Sequence, residues 1–275
     1  VTFSDPWLLG SRFRLDIPVQ YLRREEPSFT RRELGTGLNV HREWTSRFST
    51  VVGYSLRSSA SFDLDVDAPL EDLEADVRIG SVRAEGTYDT RNALFDPRRG
   101  HRLDLRIERA APAFGSQIDF LRLQATASKA FPLGPRFTLA AGVRSGWIEP
   151  LGSTDVIPLQ ERFFNGGENT VRSFRESELG PKDFNGDPIG GEVMNVANLE
   201  LRYHFARRWQ AAVFYDTGNV ALTTSDWFED FRAGAGVGLR YILPVGSIRA
   251  DVGVNPNPRD DEDRAVFHLS IGMAF

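Results

Sequence analysis

The sequence predicts an all-β protein, a transmembrane antiparallel β-barrel, and three observations lead there. Apolar residues alternate with polar or small ones along most of the chain, the period of a β-strand with one greasy face. Most alternating stretches run ten residues or more. Strands of soluble domains average about five or six residues, whereas a tilted membrane strand needs about nine to eleven. The last stretch, Ala265 to Phe275, reads AVFHLSIGMAF and ends on an aromatic, which suits a closing barrel strand better than a soluble one.

Composition is compatible with this reading. The 275 residues are 41% apolar and 26% charged, and no apolar run reaches 18 residues, which excludes transmembrane helices. A barrel dilutes each lipid-facing residue with a lumen-facing polar one, so a modest apolar fraction does not exclude it. The chain has no cysteine, hence no disulfide framework and no thiolate metal site. Its net charge of −5 argues against nucleic-acid binding. It begins at Val1, without initiator Met or signal sequence, and is expected to be a mature or excised piece of something longer.

Twelve strands are expected, at 9–22, 33–43, 47–58, 77–89, 101–110, 118–131, 136–148, 192–206, 209–221, 232–243, 247–255 and 265–275. In the first, Phe13, Leu15, Ile17, Val19 and Tyr21 oppose Arg12, Arg14, Asp16, Pro18 and Gln20. Leu34, Thr36, Leu38 and Val40 form the second face, and Phe48, Thr50, Val52, Tyr54 and Leu56 the third. Leu103, Leu105 and Ile107 oppose Asp104, Arg106 and Glu108; Phe137, Leu139, Ala141 and Val143 oppose Thr138, Ala140, Gly142 and Arg144. Leu199, Leu201, Tyr203 and Phe205 oppose Glu200, Arg202 and His204, and Ile248, Ala250, Val252 and Val254 oppose Arg249, Asp251 and Gly253. In the last strand, Phe267, Leu269 and Ile271 share the greasy parity with Phe275. A soluble sandwich or propeller also alternates, but with shorter strands and without interfacial tryptophans.

The connections sort by size. Short turns fall at Glu43–Arg47, Pro132–Pro135, Ala206–Arg208 and Pro244–Gly246, and long polar loops at 22–32, 58–76, 110–117, 149–191, 222–231 and 256–264. Only the turn around Phe95–Gly100 is longer than this pattern wants. Short periplasmic turns opposite long extracellular loops is outer-membrane construction. Trp44 and Trp209 sit beside short turns and Trp147 near a long loop, as interfacial girdles require.

Residues 149–191 form the one oversized connection, and such a loop is usually functional or disordered. Its runs PLQERFFNGG (158–167), VRSF (171–174) and LGP (179–181) cluster aromatics, arginines and the Gly166–Gly167 pair, the makings of a loop that folds back and packs.

These residues, with FDPRRGHRLDLRIE (95–108), GVGLRYILPVGSIRADVG (236–253) and the aromatic-ended last strand, resemble the BamA/TamA superfamily of outer-membrane assembly factors, the bacterial surface antigen family. The resemblance covers nearly the whole chain. It implies a sixteen-stranded barrel preceded by periplasmic POTRA domains, of which this chain would hold the last twelve strands, with Val1–Pro6 the tail of the strand before them. It also implies that the loop's V-R-G-[FY] motif, here Val171, Arg172, Ser173 and Phe174, tucks into the lumen, with Ser173 standing where the family has Gly. The motif's Arg is held in the family by acidic residues on the two following strands, positions that Glu200 and Asp216 match. Parity agrees, since both carboxylates fall on the lumen side, where charge must sit in a barrel wall. Pairing of these carboxylates with lumen arginines such as Arg202 or Arg240 is the alternative.

The function implied is assembly or insertion of outer-membrane proteins through a lateral gate between the first and last barrel strands. The gate would involve Phe267, Leu269, Ile271, Gly272 and Phe275 of the closing strand, which Gly272 and Ser270 leave with few side-chain locks. Partners would be outer-membrane lipid and lipopolysaccharide, client β-barrel or secreted proteins, and periplasmic accessory proteins reached through the POTRA domains. Nucleic acid is not expected. A two-partner secretion pore and a barrel anchoring a fused surface enzyme are the alternatives. No enzyme, cofactor or metal is expected. The glycine string Gly234–Gly238 lacks the following helix of a nucleotide site, Asp183–Asp187 lacks the later Glu of a calcium loop, and His41, His101, His204 and His268 lack metal-ligand spacing. The acidic runs at Asp63–Asp76 and Arg259–Asp263 read as solvated extracellular tips.

Overall fold

In a computed structural model, residues 1–62, 76–244 and 246–272 are described. Most of the acidic run Asp63–Asp76, together with Phe275, lies outside these residues. One antiparallel sheet contains β1 (Thr2–Asp5), β2 (Phe13–Glu25), β3 (Thr30–Glu43), β4 (Phe48–Phe62), β5 (Val77–Asp89), β6 (Gly100–Ala110), β7 (Phe120–Pro132), β8 (Phe137–Pro150), β9 (Val193–His204), β10 (Trp209–Ala221), β11 (Arg232–Leu243), β12 (Gly246–Val254) and β13 (Ala265–Ile271). Spatial order follows chain order from β1 to β13. No helix among the described residues is long and apolar enough to cross a membrane.

The stretch expected to be the tail of a preceding strand does form one, β1, which pairs Thr2–Asp5 with Leu15–Pro18. The following strand starts at Phe13 rather than residue 9, because Leu8–Gly10 form a 3-10 turn in which Leu9 takes φ 50°. At Pro18, which has no N–H to donate, the β2–β3 pairing is interrupted between Asp16–Asn39 and Val19–Thr36 without losing register.

Alternation becomes sidedness. On β10, Val213 and Tyr215 are exposed while Phe214 and Asp216 are buried; on β9, Leu199 is exposed while Glu200 is buried. The outward rows are leucine, valine, isoleucine and aromatic residues, the lipid-facing band of a barrel. At the short-turn end the aromatics form cross-strand pairs. Phe137 stacks on Tyr203 with ring centroids 4.8 Å apart, and Trp209 meets Tyr241 at 4.9 Å. At the opposite end Trp147 lies 6.1 Å from Trp227. These are the two girdles.

The overlong β5–β6 turn folds across the inner face at the short-turn end. Asn92 caps it by accepting from the Arg98 and Arg99 amides, Asp96 accepts from Gln210 at 2.8 Å, and Arg98 reaches His204 Nδ1 at 3.1 Å. The apolar core sits near the other end, between the inner face and the long loop. Ile79, Phe120, Ile148 and Val196 from the wall enclose Ile157, Phe163, Val171 and Phe174 from the loop.

Candidate functional site, a buried loop tied to the barrel wall

Residues 151–192, between β8 and β9, lie against the inner face, where Glu161 contacts β4 and β7 and Arg172 contacts β9 and β10. Gly166 and Gly167 turn the chain at φ 105° and 102°, in the left-handed region that glycine adopts without strain. A Cβ on Gly166 would also lie 2.4 Å from the Arg175 carbonyl oxygen. Beyond this turn Val171, Arg172, Ser173 and Phe174 are all buried.

Arg172 meets Asp216 in a fork, donating from Nε to Oδ2 at 2.7 Å and from Nη2 to Oδ1 at 2.8 Å. Its Nη1 donates to Glu200 Oε2 at 2.7 Å, and the guanidinium lies over the Phe214 ring at 3.5 Å. Glu200 also accepts from Arg202 at 2.6 Å and Arg240 at 2.5 Å, so the wall arginines join this cluster rather than replace Arg172. Bidentate, charge-assisted bonds of this kind fix both position and orientation. Burial alone would lower the basicity of Arg172; the Asp216 hydrogen bonds and the two carboxylate charges outweigh it and hold its pKa above the usual guanidinium range. Ser173 is not at positive φ, and room for its side chain comes from the wall, since a Cβ on Gly234 would lie 2.0 Å from Ser173 Oγ. Likewise a Cβ on Gly253 would lie 2.1 Å from the Arg172 carbonyl oxygen, so glycines on β11 and β12 admit the motif's backbone.

A second cluster, not singled out from the sequence, lies against β3, β4, β6 and β7. Glu161, in the 3-10 turn Leu159–Glu161, accepts from Arg57 Nη2 of β4 and Arg122 Nη2 of β7, both at 2.9 Å, and Arg31 of β3 is 3.6 Å away. Arg122 also donates to the Glu161 carbonyl at 2.6 Å. Glu108 of β6 shares Arg57 and Arg122 at 2.9 and 3.3 Å. Burial would raise the Glu161 pKa, but Arg57, Arg122 and Arg31 overcome it and hold it at about 2.

Compared with known proteins, residues 1–275 match the Omp85 superfamily domain from end to end. The chain belongs to the Omp85 superfamily. Among curated relatives it is 27% identical over 238 residues to outer membrane protein assembly factor BamA of Nitratidesulfovibrio vulgaris, covering 83% of this chain and 30% of that protein. It is 32% identical over 224 residues to BamA of Neisseria meningitidis, covering 69% of this chain and 28% of that one. The chain thus spans about a third or less of these relatives. In fold it is similar to BamA of Haemophilus ducreyi lacking POTRA domains 1–3, with TM-score 0.83, 17% identity, and 98% of this chain against 61% of that one. CdiB of Escherichia coli gives TM-score 0.61 at 16% identity over 94% of this chain and 49% of that chain. The chain is an outer-membrane β-barrel of the bacterial type.

In this Omp85 barrel the C-terminal strand presents Phe267, Leu269 and Ile271 outward at 63%, 67% and 80% exposure. Among the described residues β13 pairs with β12 alone. Gly272 continues that pairing, donating its amide to Ser247 O at 2.8 Å. On the inner side His268 Nε2 lies 3.1 Å from the Arg172 carbonyl oxygen, a contact between the loop motif and the terminal strand that sequence reading also missed.

The weaker signals resolve structurally. Asp183 Oδ1 accepts from the Asn185 and Asp187 amides, closing a turn, and among the described residues no group of three or more His, Asp or Glu could hold a metal ion. Arg259–Asp263 is not merely a solvated tip: Arg259 pairs with Asp230 at 2.7 Å, Lys182 with Asp261 at 2.9 Å and Arg175 with Asp263 at 2.6 Å, joining three extracellular connections.

Proposed function

We propose that this chain is the membrane barrel of an outer-membrane protein assembly factor, and that the Arg172–Glu200–Asp216 cluster holds its loop in place for that task. The observation that carries the reading is the name shared by the relatives aligned over 83% and 69% of the chain, both outer membrane protein assembly factors. A mouse relative, 28% identical over 113 residues, is named as a sorting and assembly machinery component.

The physical account needs no catalysis. Client strands enter by β-augmentation: the free N–H and C=O row of a terminal strand templates an incoming strand, and backbone hydrogen bonds supply the affinity. In lipid an unpaired edge is costly, so an edge opened briefly has a strong tendency to accept a partner. The gate lies between the first and last barrel strands, with Phe267, Leu269, Ile271 and Gly272 on its C-terminal side. Arg172 is structural in this scheme. Tied to β9 and β10 by its side chain and touching β13 through its carbonyl, it keeps the wall beside the gate in register. Partners are client β-barrel proteins, the surrounding lipid and lipopolysaccharide, and periplasmic accessory proteins.

The test is reconstitution of the intact protein in liposomes with an unfolded client barrel, scored by heat-modifiable migration of the client. Acceleration over empty liposomes that is lost in Arg172→Ala supports the reading. Passage of a soluble passenger into the liposome interior, without client folding, would replace it with the secretion-pore alternative.

A further inference from the structure

We infer that Glu161 is the second foot of a strut: residues 161–172 run between two buried charge clusters on the inner face, with Arg172 as the cationic foot held by Asp216 and Glu200 of β9–β10 and Glu161 as the anionic foot held by arginines of β3, β4 and β7. This adds a positioning residue to the loop and rests on the reading of that loop as a structural part of the assembly barrel.

The charges on the second wall point to a designed contact rather than incidental neutralisation. Without the loop, Arg31, Arg57 and Arg122 face two wall carboxylates, Glu33 at 2.6 Å from Arg31 and Glu108 at 2.9 Å from Arg57. Arg106 also lies 3.8 Å from Glu108, so arginines outnumber carboxylates around this site, and Glu161, itself buried, offsets the excess. The foot is also seated by packing and backbone contacts. Leu159 is fully buried beside Phe29, Gln160 donates to the Ser59 carbonyl at 3.4 Å, and Ser28 donates to the Pro188 carbonyl at 2.5 Å. On the Glu161 side of the Gly166–Gly167 turn the strut pairs with the returning half of the loop: Phe163 and Gly191 exchange backbone hydrogen bonds at 2.8 and 2.9 Å, and Leu179 donates to the Asn165 carbonyl at 2.9 Å. The Gly166–Gly167 turn lies between the feet, so one can open without dragging the other.

The strut therefore predicts independent release. Because the chain has no cysteine of its own, single cysteines at Leu159 and Val171, each fully buried, report the two feet separately. In the folded intact protein, maleimide labelling is measured at each position with and without Glu161→Gln. The expected result is labelling at 159 at least about tenfold faster, with 171 unchanged, as for a local opening on one side. Arg172→Gln should give the converse, and Glu161→Asp should largely restore protection at 159. Arg57→Gln, which removes one of the three wall arginines, should speed labelling at Leu159→Cys in the same direction but less than Glu161→Gln, and serves if the latter fails to fold. Protection at 159 that survives both Glu161→Gln and Arg57→Gln would overturn the inference. Equal exposure of both positions would overturn it as well, since the loop would then leave as one body. Labelling requires no client, so failure of client assembly with these labelling results intact counts against the proposed function and leaves the strut standing.

Discussion

The two ends of the strut solve the same physical problem with opposite charges. At one end a guanidinium from the loop enters a wall supplied with carboxylates; at the other a carboxylate enters a wall supplied with guanidiniums. Their wiring differs. Arg172 brings one side chain to two strands adjacent in sequence and space, with a fork to Asp216 and a single bond to Glu200. Glu161 gathers three arginines from β3, β4 and β7, two of which are shared with Glu108. The Arg172 cluster is thus specific and brittle, and the Glu161 cluster redundant and tolerant. A buried ion pair can be nearly neutral as a whole and still be costly to break from one side, because the partner left behind is charged and dry.

That asymmetry orders the expected effects of mutation. Arg172→Ala should be the most damaging, leaving Asp216 without its fork partner, and should cost roughly 3–5 kcal/mol in a denaturant titration followed by heat-modifiable migration. Glu161→Gln keeps hydrogen-bonding capacity, and Glu108 remains for Arg57 and Arg122, so the cost should be smaller, roughly 1–3 kcal/mol by the same assay. If the two losses are equal, the contrast between brittle and redundant anchors is wrong.

Acid sharpens the comparison. The Glu161 carboxyl is depressed from 4.5 to about 2, so its stabilising contribution is fully present above about pH 4.5 and fades as pH falls toward and through 2. Stability measured by unfolding across that window should therefore fall more steeply, as pH is lowered, in the parent than in Glu161→Gln; parallel curves would contradict the assignment. The smallest effect belongs to His268→Ala, which removes one hydrogen bond to the Arg172 carbonyl and should cost about 1 kcal/mol. Hydrogen exchange of the β13 amides should rise in this variant while that of β9 and β10 stays unchanged.

The difference between the anchors also explains what could be read from the sequence. Strand faces were legible because lipid on one side and charge on the other enforce a strict period of two, as at Leu199–Glu200–Leu201. Arg172, Glu200 and Asp216 could be nominated through the family motif and checked by parity. Glu161 could not, although it lies in the quoted run PLQERFF. Its partners are Arg31, Arg57 and Arg122, far apart in the chain, and a sequence with 33 basic residues offers many lumen-facing alternatives. Strand stagger and curvature decide which arginines face the loop across the lumen, and neither follows from alternation. The same limit hid the β5–β6 turn, whose extra length was visible but whose contacts with His204 and Gln210 depend on curvature.

The central claim, that the loop must be held by Arg172 for the barrel to work, is tested most directly by charge reversal in the intact protein. Arg172→Glu is made alone and then combined with Asp216→Arg, and outer-membrane assembly of client porins is scored with the protein's own heat-modifiable migration. The account predicts that the single reversal cripples both and the double reversal restores them in part. Normal client assembly with Arg172 reversed would contradict it.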